Sequence, residues 1–196
     1  MQDAGALLLL GGSYGSKYQA YRQSDYLYVT DESGQIYRRN LPEWVGAGDV
    51  RASFQMSGWN ALVEYAYKAN DPYAANRFSY APGQAFMASL AYSMKGMFFF
   101  VQTKHSENMS YRSDRSLNPA STVGTINHLP AFTNTHTYAL ASLYTYATQP
   151  DGEWAFQGEL RYTFARNTKM GGRYGTTLKL NASHIRGSEM NWTMLT

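Results

Sequence analysis

The thirteen-residue segment EWAFQGELRYTFA, residues 153–165, alternates between two kinds of side chain. From Trp154 onward every second residue is Trp, Phe, Gly, Leu, Tyr and Phe, and the residues between are polar, charged or small. Successive side chains of a β-strand point to opposite faces, so this period of two predicts a long strand. One face of that strand is aromatic and apolar, and the other carries three charges.

The same alternation recurs along the chain, whereas no sustained i, i+3, i+4, i+7 apolar pattern predicts an amphipathic helix. We therefore predict an all-β fold, an antiparallel up-and-down meander of eight or nine long strands that forms part or all of a transmembrane β-barrel. The chain is expected to be a single segment, 1–196, without a second domain. The predicted strands are 4–12, 49–57, 60–68, 84–93, 97–106 (ambiguous in its first four residues), 135–146, 153–165 and 173–183, with 190–196 as the start of a ninth.

Turn sequences support this organisation. Ser-Gly-Trp-Asn predicts a two-residue loop at 58–59, a type II′ turn that places Phe54 opposite Val63. A second two-residue loop is predicted at 95–96, and a short turn at 148–152 is predicted to join two neighbouring strands. Short connections then alternate with long polar ones, as in outer-membrane barrels. The long connections are roughly 14–44, 69–83 and 107–135.

The alternation fits two environments. In a membrane barrel the apolar face contacts lipid, and in a soluble barrel or sandwich it points inward. Aromatic residues concentrate near predicted strand ends and aliphatic residues near the middles, which favours two aromatic girdles in a membrane. The alternative, a soluble Tyr-rich β-barrel or sandwich that binds an apolar ligand inside, stays open. The aromatic residues at strand ends are Trp44, Trp59, Tyr67, Tyr92, Tyr138, Tyr146, Trp154, Phe164 and Tyr174.

Composition excludes several classes of function. The chain has 17 basic and 14 acidic residues, a balance that argues against a nucleic-acid partner. It has no Cys and therefore no disulfide framework. Met1 begins no signal peptide, so the chain is either cytoplasmic or an internal piece of a longer exported protein. The strand-like sequence at 190–196 favours the second interpretation.

Charged residues on the predicted polar face form the first set of candidates. We expect them to face the barrel lumen, where their mixed charges influence the selectivity for ions or solutes. The alternative is that they pair with one another and hydrate the wall. Glu159 is expected opposite Lys179. The set is Arg51, Glu64, Lys68, Lys104, Glu159, Arg161 and Lys179.

The loop sequence MSYRSDRS supplies a second candidate site, for an anion or a sulfated glycan. It holds Arg112 and Arg115 beside Tyr111 and Asp114. Two guanidinium groups match the geometry of carboxylate, phosphate or sulfate. The alternative is that Asp114 satisfies its neighbours and the loop folds over the barrel mouth.

No pattern in the sequence predicts an enzyme, a cofactor or a metal site. The nucleophile-elbow, phosphate-loop, dinucleotide and zinc-helix motifs are absent. His105 and His136 flank one long loop, but two imidazoles without a nearby carboxylate are a weak metal site. We therefore predict no catalytic residues, although a barrel enzyme with a site assembled from loops is a third possibility.

Several stretches together resemble an uncharacterised family of porin-like outer-membrane β-barrel proteins of the Bacteroidota. They are VEYAYKANDP (63–72), ENMSYRSDRS (107–116), the run at 126–160 and GGRYGTTLKLN (171–181). The resemblance covers residues 44 to 186 and implies location in the bacterial outer membrane. It implies the lipid bilayer as a partner, with other envelope proteins or a surface lipoprotein as further partners. Members of that family are longer and begin with a signal peptide, so we expect this chain to be an internal fragment. No active residues are implied.

Overall fold

The computed structural model describes residues 5–20, 22, 27–76, 78–118, 123–132 and 148–188. In this part of the chain the regular structure is β, apart from a 3-10 turn at Ala74–Asn76. Among the described residues, no helix has the length and apolar character needed to cross a membrane. The nine strands are Leu7–Tyr18 (β1), Tyr28–Thr30 (β2), Ile36–Arg38 (β3), Trp44–Met56 (β4), Trp59–Lys68 (β5), Gly83–Met94 (β6), Met97–Glu107 (β7), Gly152–Phe164 (β8) and Thr176–Gly187 (β9).

The seven long strands form one antiparallel sheet in the order β1-β4-β5-β6-β7-β8-β9, and β2 and β3 form a separate hairpin. The predicted all-β antiparallel meander is confirmed. Within the described ranges, β1 and β9 are the edges of the sheet and each pairs with one neighbour. The predicted strands at 135–146 and 190–196 lie outside the described residues.

The two tight hairpins differ in how well local sequence predicted them. The loop at 95–96 is confirmed, since Met94 pairs with Met97. The first loop is one residue earlier than predicted, at Ser57 and Gly58, because Met56 pairs with Trp59. Both loop residues have positive φ, 44° and 85°, as a type I′ turn requires. Phe54 therefore lies opposite Ala61 and not Val63, a shift of two that keeps the same face.

The prediction that the 148–152 turn joins neighbouring strands is wrong. β8 pairs with β7 along one edge and with β9 along the other. Both backbone edges of β8 are occupied, which leaves no edge for a hairpin with 135–146. The Pro-Asp-Gly sequence is typical of a turn, but turn chemistry does not specify which strand becomes the neighbour.

Connection lengths divide the sheet into two ends. At one end, here called the turn end, strands are joined by residues 57–58, 95–96 and 165–175. At the other, the loop end, consecutive strands of the sheet are separated by residues 19–43, 69–82 and 108–151, of which 21, 23–26, 77, 119–122 and 133–147 lie outside the described residues. The predicted alternation of short and long connections is confirmed for the loops at 57–58 and 95–96 and for the long segment 69–82, whereas the predicted short turn at 148–152 does not join neighbouring strands of the sheet.

Strand register separates the side chains into two faces. One face, the apolar face, carries a row of apolar residues or glycine that crosses all seven strands. On β8 this face is exposed, with Trp154 at 39% and Phe156 at 46%. Glu153 and Ala155, which alternate with them on the opposite face, are fully buried. The loops thus cover the opposite face and leave the aromatic side uncovered. The row consists of Leu8, Phe54, Ala61, Leu90, Val101, Gly158 and Ala182.

Aromatic pairs lie near both ends of the apolar face. At the loop end the rings of Tyr18 and Trp44 are 4.9 Å apart between centroids. At the turn end the rings of Trp59 and Tyr92 are 4.5 Å apart. Each pair joins directly opposed residues of neighbouring strands, which is the unit of side-chain stabilisation in a sheet.

Candidate functional site: a buried polar network at the loop end

The other side of the sheet, the polar face, carries all seven charged residues predicted for it. Register links them from strand to strand: Arg51 lies opposite Glu64, Glu64 and Lys104 both lie opposite Met87, and Arg161 lies opposite Lys179. Lys68 is four residues beyond Glu64 on β5, and Glu159 is two residues before Arg161 on β8, so both share this face.

At the loop end, the polar face is covered by two segments, here called the covering segments, whose described residues are 69–76 and 78–82 in the first and 108–118 and 123–132 in the second. Charged and amide side chains of the strands and of these segments meet between them with almost no exposure. Burial of such groups is costly unless each is paired or hydrogen-bonded. We call this set the polar network: Lys17, Lys68, Asp71, Asn76, Lys104, Asn108, Arg115 and Glu153.

Two buried cations share one buried carboxylate at the centre of the network. Asp71 lies 2.5 Å from Lys17 Nζ and 3.2 Å from Arg115 Nε. The three side chains are 1%, 5% and 3% exposed. Arg115 also donates to the carbonyl oxygen of Pro42. This triad joins β1 to both covering segments.

Backbone carbonyls of the 108–118 segment accept hydrogen bonds from strand lysines. Lys17 Nζ donates to Arg112 O at 2.7 Å, and Lys68 Nζ donates to Ser110 O at 2.7 Å. In return, the Tyr111 hydroxyl donates to Val45 O at 2.7 Å. Burial raises the pKa of Tyr111, which keeps this donor protonated. The segment is thereby fixed to three strands of the sheet.

Asparagine side chains connect the two covering segments. Asn76 Nδ2 donates to Asp71 O and to Asn108 Oδ1, both at 3.0 Å. Asn108 has a positive φ of 48°, a conformation that asparagine tolerates better than most residues. Nearby, Tyr73 donates to Asp151 at 3.0 Å, and its pKa is raised by burial and by the charge of that carboxylate.

Lys104 and Glu153 form a second buried ion pair, between β7 and β8. The Lys104 Nζ to Glu153 Oε1 distance is 3.0 Å. Lys104 also donates to Pro130 O at 2.6 Å, and its ammonium lies 5.1 Å from the centroid of the buried Phe132 ring. This pair anchors the 123–132 segment.

The predicted anion site in the MSYRSDRS loop is arranged differently from the prediction. Arg115 points inward to Asp71, whereas Arg112 Nη1 donates to Asn118 O at 2.9 Å. Asp114 accepts the Ser116 backbone N–H at 2.8 Å, and this bond holds the pKa of Asp114 below its usual value. The two guanidinium groups therefore do not converge on a shared ligand position. Asp114 thus satisfies neighbouring groups of its own loop, and Arg115 binds the loop to the polar side of the sheet.

The remaining predicted charges lie towards the middle and the turn end. Arg51 pairs with Asp49 at 3.2 Å. Lys179 pairs with Glu159 at 3.2 Å, although register places Asn181, not Lys179, directly opposite Glu159. The expected contact is therefore formed diagonally.

Several residues of the polar network were not singled out from the sequence. Lys17, Asp71, Asn76 and Asn108 were not placed by any periodic pattern, and Glu153 was placed on the polar face of 153–165 but was not named as a site residue. The signal available was indirect: Asp71 and Asn108 lie within the stretches VEYAYKANDP and ENMSYRSDRS that carry the family resemblance.

The contacts of the polar network hold the covering segments against the strands. In the part of the chain that the structure describes, no group of three or more His, Cys, Asp or Glu side chains is placed to hold a metal ion. The central carboxylate and the lysines are each engaged in the contacts given above. Such a network fixes loops against strands.

The fold and the network define a class of protein: an antiparallel β-meander whose loops and charges pack on one face while its apolar face is exposed. The sequence profile of the family of unknown function DUF6029 matches residues 2–194. The chain belongs to this family, and the predicted membership of an uncharacterised family is confirmed. No curated protein and no solved structure matches the chain.

Proposed function

We propose that this chain forms part of the wall of an outer-membrane β-barrel. In this role it would allow the passive, porin-like passage of solutes. In this proposal the apolar face contacts lipid and the polar face lines a wet interior. The observation that carries it is the distribution of the two faces: charged groups lie beneath the loops, and a continuous apolar row is exposed across seven strands. Soluble monomers rarely expose an apolar patch larger than a few hundred Å².

Strand length supports the same environment. The seven sheet strands have 10 to 13 residues each. A tilted strand needs about 9–11 residues to span a bilayer, whereas strands in soluble proteins most often have about 5–6. Ring pairs at both ends of the apolar face, with aliphatic residues between, are the arrangement of an interfacial girdle.

The polar network adds a feature to this proposal. Covering segments anchored to the polar face narrow the interior at the loop end. Ions or solutes would pass the paired charges of the network before reaching the exposed charges nearer the turn end. The soluble-carrier alternative requires the opposite arrangement, an apolar face enclosed by the fold.

Two neighbouring substitutions on β9 test the proposal. Leu180 lies on the apolar face and is 54% exposed, and Asn181 is the exposed next residue on the polar face. In a bilayer, arginine on the lipid face near the midplane costs about 2–4 kcal/mol. Leu180→Arg should therefore reduce the free energy of unfolding in lipid vesicles by this amount. The matched control Asn181→Arg should change that free energy little.

The measurement is the free energy of unfolding in vesicles, by urea titration with tryptophan fluorescence. If both variants lose the same stability, the apolar face does not contact lipid and the proposal is wrong. Fractionation of cells that express the chain gives an independent check. Recovery of the folded chain from the soluble fraction would favour the ligand-binding alternative.

A further inference from the structure

Two phenylalanine side chains lie on the polar face, beside its charged residues at the turn end. Phe98 and Phe100 lie on it, while Phe99 between them lies on the apolar face. The two rings are stacked, with an interplanar angle of 16° and 6.4 Å between centroids. Both side chains are partly exposed. This resolves the ambiguous start of the 97–106 strand and leaves two aromatic rings on a charged surface.

Small side chains flank the rings on one side. Ala91 lies opposite Phe100 and Ser93 lies opposite Phe98 on the neighbouring strand β6. Neither side chain is long enough to cover a phenyl ring. The two rings, here called the platform, are therefore bordered by small side chains on the β6 side.

Charged and amide groups flank the rings on the other side. On β8, Glu159 lies opposite Phe100 and Arg161 lies opposite Phe98, and on β9 they are followed by Asn181 and Lys179. The Arg161 guanidinium carbon is 5.3 Å from the Phe98 ring centroid. Lys179 holds Glu159 at 3.2 Å and remains 54% exposed. Donors and acceptors are thus held beside the rings.

We propose that this platform, Phe98 and Phe100 with Glu159, Arg161, Lys179 and Asn181, binds a saccharide. An aromatic face is electron-rich and attracts the C–H groups on one face of a pyranose ring. The hydroxyl groups around the sugar need both donors and acceptors, which the four polar residues supply. An aliphatic ligand would leave these polar groups unused, and a phosphate would engage the two cations but neither Glu159 nor the aromatic rings.

This inference rests on the proposed function and extends it. If the polar face lines a wet interior, the platform indicates that sugars are among the solutes that bind there. The site lies at the turn end, away from the polar network. Substitutions here therefore leave the anchors of the covering segments intact.

Isothermal titration calorimetry with maltohexaose, on the full chain folded in detergent, tests the platform. We expect the parent chain to bind and the double variant Phe98→Ala/Phe100→Ala to bind at least about tenfold more weakly. Phe99→Ala is the matched control, because it removes the same ring from the same strand on the opposite face. Its affinity should stay within about twofold of the parent.

A second variant keeps the test valid if the double variant does not fold. Arg161→Gln keeps an exposed polar side chain but removes the cation beside Phe98, and it should weaken binding by about tenfold. No heat of binding to the parent, or equal affinity of the parent and the platform variants, would overturn the inference. Calorimetry measures saccharide binding and does not depend on passage through a membrane. The proposed function is tested by a different experiment, the stability of the Leu180 and Asn181 variants, so the two proposals can fail independently.

Discussion

The sharpest stability prediction concerns Asp71, the single carboxylate between two buried cations. Asp71→Asn keeps the shape of the side chain and removes its charge. Lys17 and Arg115 then remain buried, at 5% and 3% exposure, without a counter-charge. The expected effect is a large loss of stability, because an uncompensated charge remains away from water.

The distances give the scale of this loss. At an effective dielectric constant of about 20, charges 2.5 Å apart attract by roughly 7 kcal/mol and charges 3.2 Å apart by roughly 5 kcal/mol. Desolvation of all three groups opposes most of this attraction. Breaking a buried ion pair by removing one partner typically costs about 3–5 kcal/mol, and we expect Asp71→Asn to fall in that range.

Urea unfolding of the folded chain in vesicles, followed by tryptophan fluorescence, measures the change. Glu159→Gln is the control, because its partner Lys179 is 54% exposed and an exposed pair contributes about 0.2–1 kcal/mol. Equal losses in the two variants would refute the reasoning.

A triple variant separates charge from shape. Replacing all members of a buried triad by apolar residues of similar volume is often neutral or stabilising. Lys17→Met/Asp71→Leu/Arg115→Met should therefore recover most of the stability that Asp71→Asn loses. If the triple variant is as unstable as the single one, packing and not charge accounts for the loss.

Three further predictions concern Asp114 in the loop, the exposed Lys179 and the buried Lys104. The backbone N–H that lowers the pKa of Asp114 stabilises its ionised form in the folded chain, so this contribution is present above the unfolded value of 3.8 and is lost as pH falls through the folded value. The unfolding free energies of the parent and Asp114→Asn should differ at pH 7 and converge in acid; a constant difference at all pH values would contradict this linkage. Lys179→Glu should shift the ion preference of single channels in planar bilayers towards cations, whereas Lys104→Glu places a second buried carboxylate against Glu153 and should reduce the yield of folded protein. Unchanged selectivity in Lys179→Glu would show that this charge does not face the permeation path.

The sequence predicts the strands of this fold well because alternation is a local property. Residues 153–165 show their two faces directly, and the strand observed there is Gly152–Phe164. The first loop lies one residue earlier than predicted, since Ser57 and Gly58 both adopt the positive φ of a type I′ turn, whereas the predicted type II′ turn at 58–59 requires it only at Gly58. The neighbour of β8 was predicted incorrectly because the local sequence does not indicate which strands pair across a long connection.

The network was beyond prediction for the same reason. Asp71 meets Lys17 and Arg115 across separations of 54 and 44 residues. Periodicity placed Lys68 and Lys104 on the correct face, but it does not indicate which backbone carbonyls accept hydrogen bonds from their ammonium groups. The partners belong to irregular segments whose path depends on the packed structure.

The position of the network follows from the nature of the sheet. A soluble β-protein encloses its apolar face and forms its core there, but here that face is exposed along its length. The described apolar side chains that are most buried, Leu41, Val45, Phe132 and Ala155, lie at the loop end with the buried charges. The covering segments and the polar face thus form the closest equivalent of a core in the described chain. Because its charges are held by partners far apart in sequence, we expect loss of one central carboxylate to release both covering segments together, while the backbone pairing of the strands persists.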